Sequence, residues 1–179
     1  DALPICTPYY ITLEERNQIA DFDLSAHPQL AIQRDIFIFQ CCIGCRVSDL
    51  FKLTESNVIN GAVEYIPHKT KGERQNVVRV PLNNRAVALM KKYKDMDSKG
   101  RLFPFISPQK YNDDIKDIFR LCGVTRSVTV TDSVTGKEVQ RPINEVASSH
   151  MARRTFVGNL YKQVKDPNLI ASMSGHAEG

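Results

Sequence analysis

The feature that most constrains the fold is an apolar segment that begins at Pro28 and ends at Gly44. Proline suits the first turn of a helix, and glycine is typical just beyond the last turn. Toward its end the segment is apolar on more than one helical face, through Leu30, Ile32, Ile36, Phe37, Phe39 and Ile43. A helix that is apolar on several faces must be covered on several sides. The segment therefore predicts a central, buried helix.

A new helix is predicted directly after Gly44. Val47, Leu50 and Phe51 follow helical spacing, so this helix is expected to start near Arg46. An arginine at the junction between a buried helix and its successor is held firmly. Arg46 is therefore a candidate functional residue, and a surface arginine at a helix start is the alternative for this position taken alone.

The periodicity changes to that of strands after residue 58. Val58-Ile59 and 62–66 flank Asn60-Gly61, a pair that favours a tight hairpin turn, and a third run of β-formers, 77–80, ends at Pro81. These runs predict a small antiparallel sheet of three strands. The connection 68–74 between the second and third strands is predicted to be a basic hairpin.

The remaining segments are predicted to be mainly helical. A capping box at Thr12 to Glu15 predicts a helix to about Phe22, Asn83 is expected to cap a helix that runs to Tyr93, and Ser107-Pro108 begins an amphipathic helix that ends at Gly123. A further β-hairpin is predicted near 126–141, with its turn around 132–136. The predicted fold class is α+β, mainly α, in a single domain.

Composition limits the class of protein. The chain has 179 residues and a net charge of +4, which suits one domain and is compatible with nucleic acid. The longest apolar run, 36–43, is far shorter than the roughly 20 residues of a membrane span. Three of the five cysteines, Cys41, Cys42 and Cys45, lie close together without a second ligand pair, so buried reduced thiols are favoured over a metal site.

The segment from Ser148 to Phe156 holds a second set of candidate residues. With Ser148 or Ser149 as the cap, it predicts a helix on which His150 and Arg153 lie one turn apart on one face. A proton-transfer group and a guanidinium would then point to the same place. The spacing alone is weak evidence, because such pairs also form ordinary solvated helix faces.

The order of the candidate residues along the chain resembles the tyrosine recombinase family. Gly44 to Leu50 resembles the first-arginine motif of the family, including a supporting acid at Asp49. His68 to Lys71, followed by 80–82, is similar to the catalytic-lysine hairpin. Ser149 to Phe156 is similar to the second-arginine box and differs from its commonest form at Ala152 and Arg154. Ser174 to His176 resembles the last histidine motif.

The resemblance implies a tyrosine recombinase catalytic domain over residues 12–179, preceded by an extended lead-in over 1–11. It implies that an N-terminal DNA-clamping domain and the C-terminal end of the catalytic domain are missing from this sequence. The nucleophilic tyrosine of the family is expected several residues after His176 and hence outside these residues, and Tyr161 is interpreted as a packing residue. The fragment as given is expected to be inactive.

The resemblance also implies roles for the site residues. Arg46 and Arg153 would hold the non-bridging oxygens of a DNA phosphate, and Lys69, with Lys71 as the alternative, would protonate the leaving 5′-oxygen. His150 would assist proton transfer at the nucleophile, and His176 would donate a hydrogen bond to the phosphate. Neither metal nor another cofactor is expected in this chemistry.

The implied function is site-specific recombination of double-stranded DNA through a 3′-phosphotyrosyl intermediate, by a homotetramer in the full-length protein. The resemblance is to integrases of bacterial mobile elements such as phages and conjugative transposons, so a cytoplasmic location is expected. Two alternatives remain open at this point. One is a DNA-binding or regulatory module that has lost catalysis, and the other is an activity like that of a type IB topoisomerase.

Overall fold

The computed structural model describes residues 10–68, 76–164 and Met173. Within these ranges the fold is mainly helical, with a three-stranded antiparallel sheet and a separate two-stranded hairpin, which confirms the predicted fold class. The helices are α1 (Leu13–Asp21), α2 (Pro28–Ile43), α3 (Val47–Leu50), α4 (Asn84–Lys92), α5 (Pro108–Leu121), α6 (Ile143–Val146) and α7 (Ser149–Val164). The strands are β1 (Val58–Ile59), β2 (Ala62–Tyr65), β3 (Val78–Pro81), β4 (Ser127–Thr131) and β5 (Glu138–Pro142).

Helix α2 is the centre of the core, as its sequence predicts. Every residue from 33 to 43 is buried, and the helix packs against α1, α4, α5 and α7. Its aromatic side chains interlock with their neighbours: Phe37 lies edge-on to Phe119 of α5, with ring centroids 5.4 Å apart, and Phe39 lies 4.7 Å from Phe103. The predicted buried thiols Cys41, Cys42 and Cys45 are also confirmed, and Cys122 is buried as well.

The three-stranded sheet has the order β1-β2-β3, with both pairs antiparallel. The predicted turn between β1 and β2 is present, with Asn60 and Gly61 both at positive φ, which matches the right-handed twist of the flanking strands. The second predicted hairpin lies largely outside the described residues, which end at His68 and resume at Asn76.

The helix starts follow the predicted capping residues. Thr12 and Glu15 form the capping box of α1, and the side chains of Asn83 and Ser107 accept hydrogen bonds from the first turns of α4 and α5. These caps depend on residues three apart in the sequence. They are therefore readable without knowledge of the tertiary structure.

The start of the described chain is fastened to α7. Ile11 is fully buried; its backbone N–H donates to Thr155 Oγ1 at 3.2 Å, and its carbonyl oxygen accepts from Asn159 Nδ2 at 3.4 Å. Gly158 lies against the ring of Tyr10, since a Cβ on this glycine would lie 3.0 Å from the ring carbons. The end of the predicted lead-in is thus part of the core.

A buried ionic cluster joins α1, α2 and α4 and was not predicted. The carboxylate of Asp35 accepts hydrogen bonds from Arg34 Nε at 2.8 Å, Lys92 Nζ at 2.8 Å and the Tyr93 hydroxyl at 2.5 Å. Arg34 Nη1 also donates to the carbonyl of Ile19, in the last turn of α1. A buried carboxylate with several donors avoids the large cost of an uncompensated charge.

No helix within the described ranges is long and apolar enough to cross a membrane.

Replacement of Gly44 by alanine is expected to destabilise the fold more than the same change at Gly100. Both glycines have φ of +75°, a conformation that costs an L-residue about 1–2 kcal/mol. At Gly44 the new Cβ would also lie 2.2 Å from the Phe156 ring, an overlap that adds about 1–3 kcal/mol, whereas nothing lies within 4 Å at Gly100. Urea denaturation of Gly44→Ala and Gly100→Ala measures the difference. Equal losses would contradict the tight contact between α7 and Gly44.

Candidate active site

The candidate site is built on the corner between α2 and α3. Gly44 adopts the left-handed conformation that ends α2, and its N–H donates to the Gln40 carbonyl at 2.7 Å. Two side chains hold the corner: Arg153 Nη1 donates to the Gly44 carbonyl at 3.0 Å, and Gln40 Nε2 donates to the Cys45 carbonyl at 2.9 Å. The Tyr111 hydroxyl of α5 fixes Gln40 by donating to its Oε1 at 2.8 Å. The backbone that carries Arg46 is therefore tightly positioned.

Arg153 has a buried guanidinium that is only partly satisfied. The residue is 3% exposed, and its Nη2 is buried without a hydrogen-bond partner among the described residues. A buried donor that lacks an acceptor costs about 1–3 kcal/mol, and more when it is charged. Such a group at a rigid corner is suited to bind an anionic ligand, whose oxygen atoms would accept the free N–H hydrogen bond.

Arg46 lies close enough to Arg153 for the two charges to interact. Burial lowers the pKa of the Arg153 guanidinium, and the positive charge of Arg46 lowers it further; Tyr65, Cys45 and Asp49 act in the opposite direction. Burial also raises the pKa of the Tyr65 phenol and of the Cys45 thiol, so both groups are neutral near pH 7. Among the described residues at this corner, Arg46 and Arg153 are positive and Asp49 is negative, which leaves a net positive charge.

Asp49 connects this corner to the end of the sheet. Its carboxylate is on α3 and is 5% exposed, and Oδ1 accepts a hydrogen bond from the backbone N–H of His68 at 2.9 Å. His68 directly precedes the predicted catalytic lysine, Lys69. Lys69 and its alternative Lys71 lie outside the described residues. Asp49 thus binds the backbone at His68, the last residue described before Lys69.

The start of α7 is fixed by α5. The backbone N–H of Ser149, the first residue of α7, donates to Asn112 Oδ1 at 2.8 Å, and Lys116 Nζ donates to the carbonyl of Ala147 at 2.7 Å. Ser148, one of the two predicted capping residues, directly precedes α7, and a side chain from α5 binds the N–H of Ser149. These contacts join residues 31 and 37 positions apart, and no local pattern could have indicated them.

The structure brings some of the predicted site residues together. Arg46, Asp49 and Arg153 meet at the Gly44 corner. His150 is exposed in the first turn of α7 and lines a cavity beneath the β4-β5 hairpin together with Arg154. His176 lies outside the described residues.

Sequence reasoning missed two residues near the arginines. Gln40 bridges Tyr111 and Cys45, and Tyr65 at the end of β2 lies within electrostatic range of both arginines. A glutamine inside an otherwise apolar helix was a usable signal, because a buried polar side chain needs partners.

In the described ranges, no three His, Cys, Asp or Glu side chains are grouped closely enough to hold a metal ion.

The fold and the sequence are similar to those of known proteins. The sequence profile of the phage integrase family matches residues 10–179. Among solved structures, XerH site-specific recombinase bound to its difH substrate is 18% identical, with a TM-score of 0.65 over 96% of this chain and 48% of XerH. The chain thus spans about half the length of XerH. Curated protein sequences gave no significant match.

Two structures of lambda integrase are also similar. Its catalytic core is 16% identical, with a TM-score of 0.62 over 95% of this chain and 92% of the core. A lambda integrase tetramer bound to a Holliday junction is 15% identical, with a TM-score of 0.63 over 94% of this chain and 47% of that protein. At these identities the likeness shows a common fold.

Sulfate, as a stand-in for a phosphate diester, is expected to stabilise the wild-type chain more than Arg46→Gln or Arg153→Gln. An anion bound between the two guanidinium groups adds about 1.4 kcal/mol at ten times its dissociation constant. The unfolding midpoint should be followed in sodium sulfate and in sodium chloride of equal ionic strength. Arg120→Gln, an exposed arginine of α5 whose ion-pair partner is Asp117, is the control. An equal gain from sulfate in all four proteins would exclude an anion site at this corner.

Proposed function

Since the chain belongs to the phage integrase family, we propose that it is the catalytic domain of a tyrosine site-specific recombinase that cleaves and rejoins DNA. The observation that carries the proposal is the buried Arg153 guanidinium, which has one nitrogen on the Gly44 carbonyl and another without a partner among the described residues. With Arg46 beside it, this nitrogen offers a place for one phosphate.

The proposed chemistry begins with charge stabilisation. Attack on a phosphodiester gathers negative charge on its non-bridging oxygens, and positioned guanidinium groups stabilise that charge. Arg153 cannot move freely because Gly44 and the packed α7 hold it, and Arg46 projects from a corner that Gln40 fixes. Removal of a positioned donor of this kind costs about 10²–10³-fold in rate. The two arginines are therefore proposed to bind the scissile phosphate.

The proton-transfer roles follow from the family motifs. Lys69 is proposed to protonate the leaving 5′-oxygen, and the Asp49 contact to the His68 N–H supports this by fixing the chain one residue earlier. His150 is proposed to assist at the nucleophile and His176 to bind the phosphate. The proposed nucleophile is a tyrosine several residues after His176, and the 3′-phosphotyrosyl link would conserve bond energy for religation without ATP.

The proposed partner is double-stranded DNA. The solved relatives include XerH on difH and a lambda integrase tetramer on a Holliday junction. By analogy we propose that the full-length protein acts as a homotetramer on two DNA segments, as the integrase of a bacterial mobile element in the cytoplasm. The net charge of +4 is compatible with this partner.

The test is covalent capture of DNA by a protein that continues with its native sequence past Gly179. A nicked suicide substrate is expected to give a protein-DNA adduct that withstands denaturation and forms in EDTA. Arg153→Ala and Arg46→Ala are expected to lower the adduct rate by at least about 10²-fold, while Arg120→Gln is unaffected. Salt-sensitive, non-specific DNA binding should largely remain in Arg153→Ala.

A modified substrate tests the general acid separately. Sulfur at the bridging 5′ position leaves without a proton, so this substitution should restore cleavage by Lys69→Ala but not by Arg153→Ala. Restoration in Lys71→Ala instead would assign the role to Lys71. If no adduct forms although the added sequence contains a tyrosine, the proposed catalytic function is wrong and the alternative is a non-catalytic DNA-binding module. Relaxation of supercoiled DNA without a preferred site would indicate a type IB topoisomerase activity.

A further inference from the structure

A cavity of about 530 Å³ lies between the β4-β5 hairpin and the first turns of α7. We call it the hairpin groove. Its polar lining includes Arg141 of β5, His150 and Arg154 of α7 and Asp132 at the hairpin turn, and its apolar lining includes Val130 and Met151. The mechanism proposed above uses His150 alone among these residues. The groove and its two arginines therefore need an explanation of their own.

The two walls of the groove are fixed relative to each other. Strand β5 ends at Pro142, helix α6 follows at once, and α7 begins only three residues after α6 ends. The backbone N–H of Ile143 donates to the Arg126 carbonyl at 2.8 Å, which closes the base of the hairpin, and Asn112 and Lys116 hold the start of α7. The distance from the hairpin to His150 is thus set by short, hydrogen-bonded connections.

The described lining of the groove has more basic than acidic side chains. Arg141 and Arg154 are its arginines, and Asp132 is the acidic residue among the described lining residues. Asp132 Oδ1 is already engaged by the backbone N–H groups of Val134 at 2.8 Å and Thr135 at 3.0 Å, and these bonds lower the pKa of the carboxyl. The distance from Arg141 Nη2 to Asp132 Oδ2 is 3.9 Å, with the arginine side chain 49% exposed, so this pair leaves the arginine available to an anion.

The groove adjoins the proposed phosphate site. Arg154 follows Arg153 in the chain, so successive side chains of α7 point about 100° apart, one into the Gly44 corner and the other into the groove. His150 and Arg154 lie one turn apart and line the same cavity. The Gly44 corner and the groove are therefore contacted by successive residues of one helix.

We propose that the hairpin groove binds the backbone of the DNA strand next to the scissile phosphate, with Arg141 and Arg154 on neighbouring phosphates. This inference rests on the proposed function, because it takes the ligand at the Gly44 corner to be DNA. The hairpin then positions the strand across the site. Arg141 and Arg154 are positioning residues, and they do not take part in the chemical step.

The salt dependence of DNA binding tests the proposal. Each phosphate contact contributes about 0.9 to the slope of log affinity against log salt concentration. The double variant Arg141→Gln/Arg154→Gln should therefore still bind a labelled duplex at low salt. Over a series of salt concentrations, its slope of log affinity against log salt should be shallower than that of wild type by about 1–2. The matched control Arg85→Gln/Arg120→Gln removes the same charge from α4 and α5, and its slope should differ from that of wild type by much less.

A variant that is expected to raise DNA affinity controls for loss of the hairpin structure. Asp132→Asn keeps an Oδ1 that can accept from Val134 and Thr135 but removes the negative charge, so it should bind DNA more tightly than wild type. Ethylation interference should show phosphates beside the scissile one that matter to wild type and not to the double variant.

The outcomes separate the two proposals. Salt-dependent binding by wild type, with the same slope and footprint in the Arg141→Gln/Arg154→Gln variant, would overturn the hairpin groove as a DNA site and leave the proposed function intact. Equal slopes for the test and control double variants, both shallower than wild type, would also overturn it, because the effect would then be one of net charge. Absence of DNA binding by wild type would overturn both.

Discussion

The hydrogen bond between the Arg153 guanidinium and the Gly44 carbonyl joins the two halves of the candidate site, which are 109 residues apart in the chain. It is possible only because Gly44 has no side chain: a Cβ there would overlap the ring of Phe156, one turn after Arg153 on α7. The same glycine that ends α2 therefore also allows α7 to approach closely enough to place Arg153 near Arg46. Helix termination, helix docking and charge placement depend on one residue.

The neighbourhood of this bond shows how a positive site can exist in a protein interior. Burial disfavours the Arg153 charge, and Arg46 disfavours it further, while Asp49 offsets part of this cost. The ionic cluster around Asp35 is different, because its carboxylate has three donors. One buried charge is internally compensated and serves stability. The other retains a donor without a partner among the described residues, which is the expected state of a group reserved for a ligand.

Much of the fold was predictable from local patterns. The caps at Thr12, Asn83 and Ser107 and the Asn60-Gly61 turn depend on residues within four positions of each other, and the structure confirms all of them. The apolar pattern of α2 also correctly predicted a central helix. These features are fixed by short-range sterics and hydrogen bonding, and so the sequence displays them directly.

The unpredicted features arise from contacts between distant parts of the chain. Helix α6 is four residues long and lacks a periodic pattern. The hydrogen bond between the first N–H of α7 and Asn112 joins residues that are 37 positions apart. For the site, family motifs singled out Arg46, Asp49 and Arg153, and the structure brings these together. The same reasoning could not foresee that adjacent arginines on α7 would lie at different surfaces, because that depends on how α7 is rotated against the corner.

That rotation is also set from the beginning of the chain. Thr155 and Asn159 both bind the backbone of Ile11, and the ring of Tyr10 lies close to Gly158, so α7 is tied to residues 10 and 11 along its middle turns. Thr155 is only two residues from Arg153. A displacement of the backbone at Ile11 would thus act directly on the turn of α7 next to Arg153.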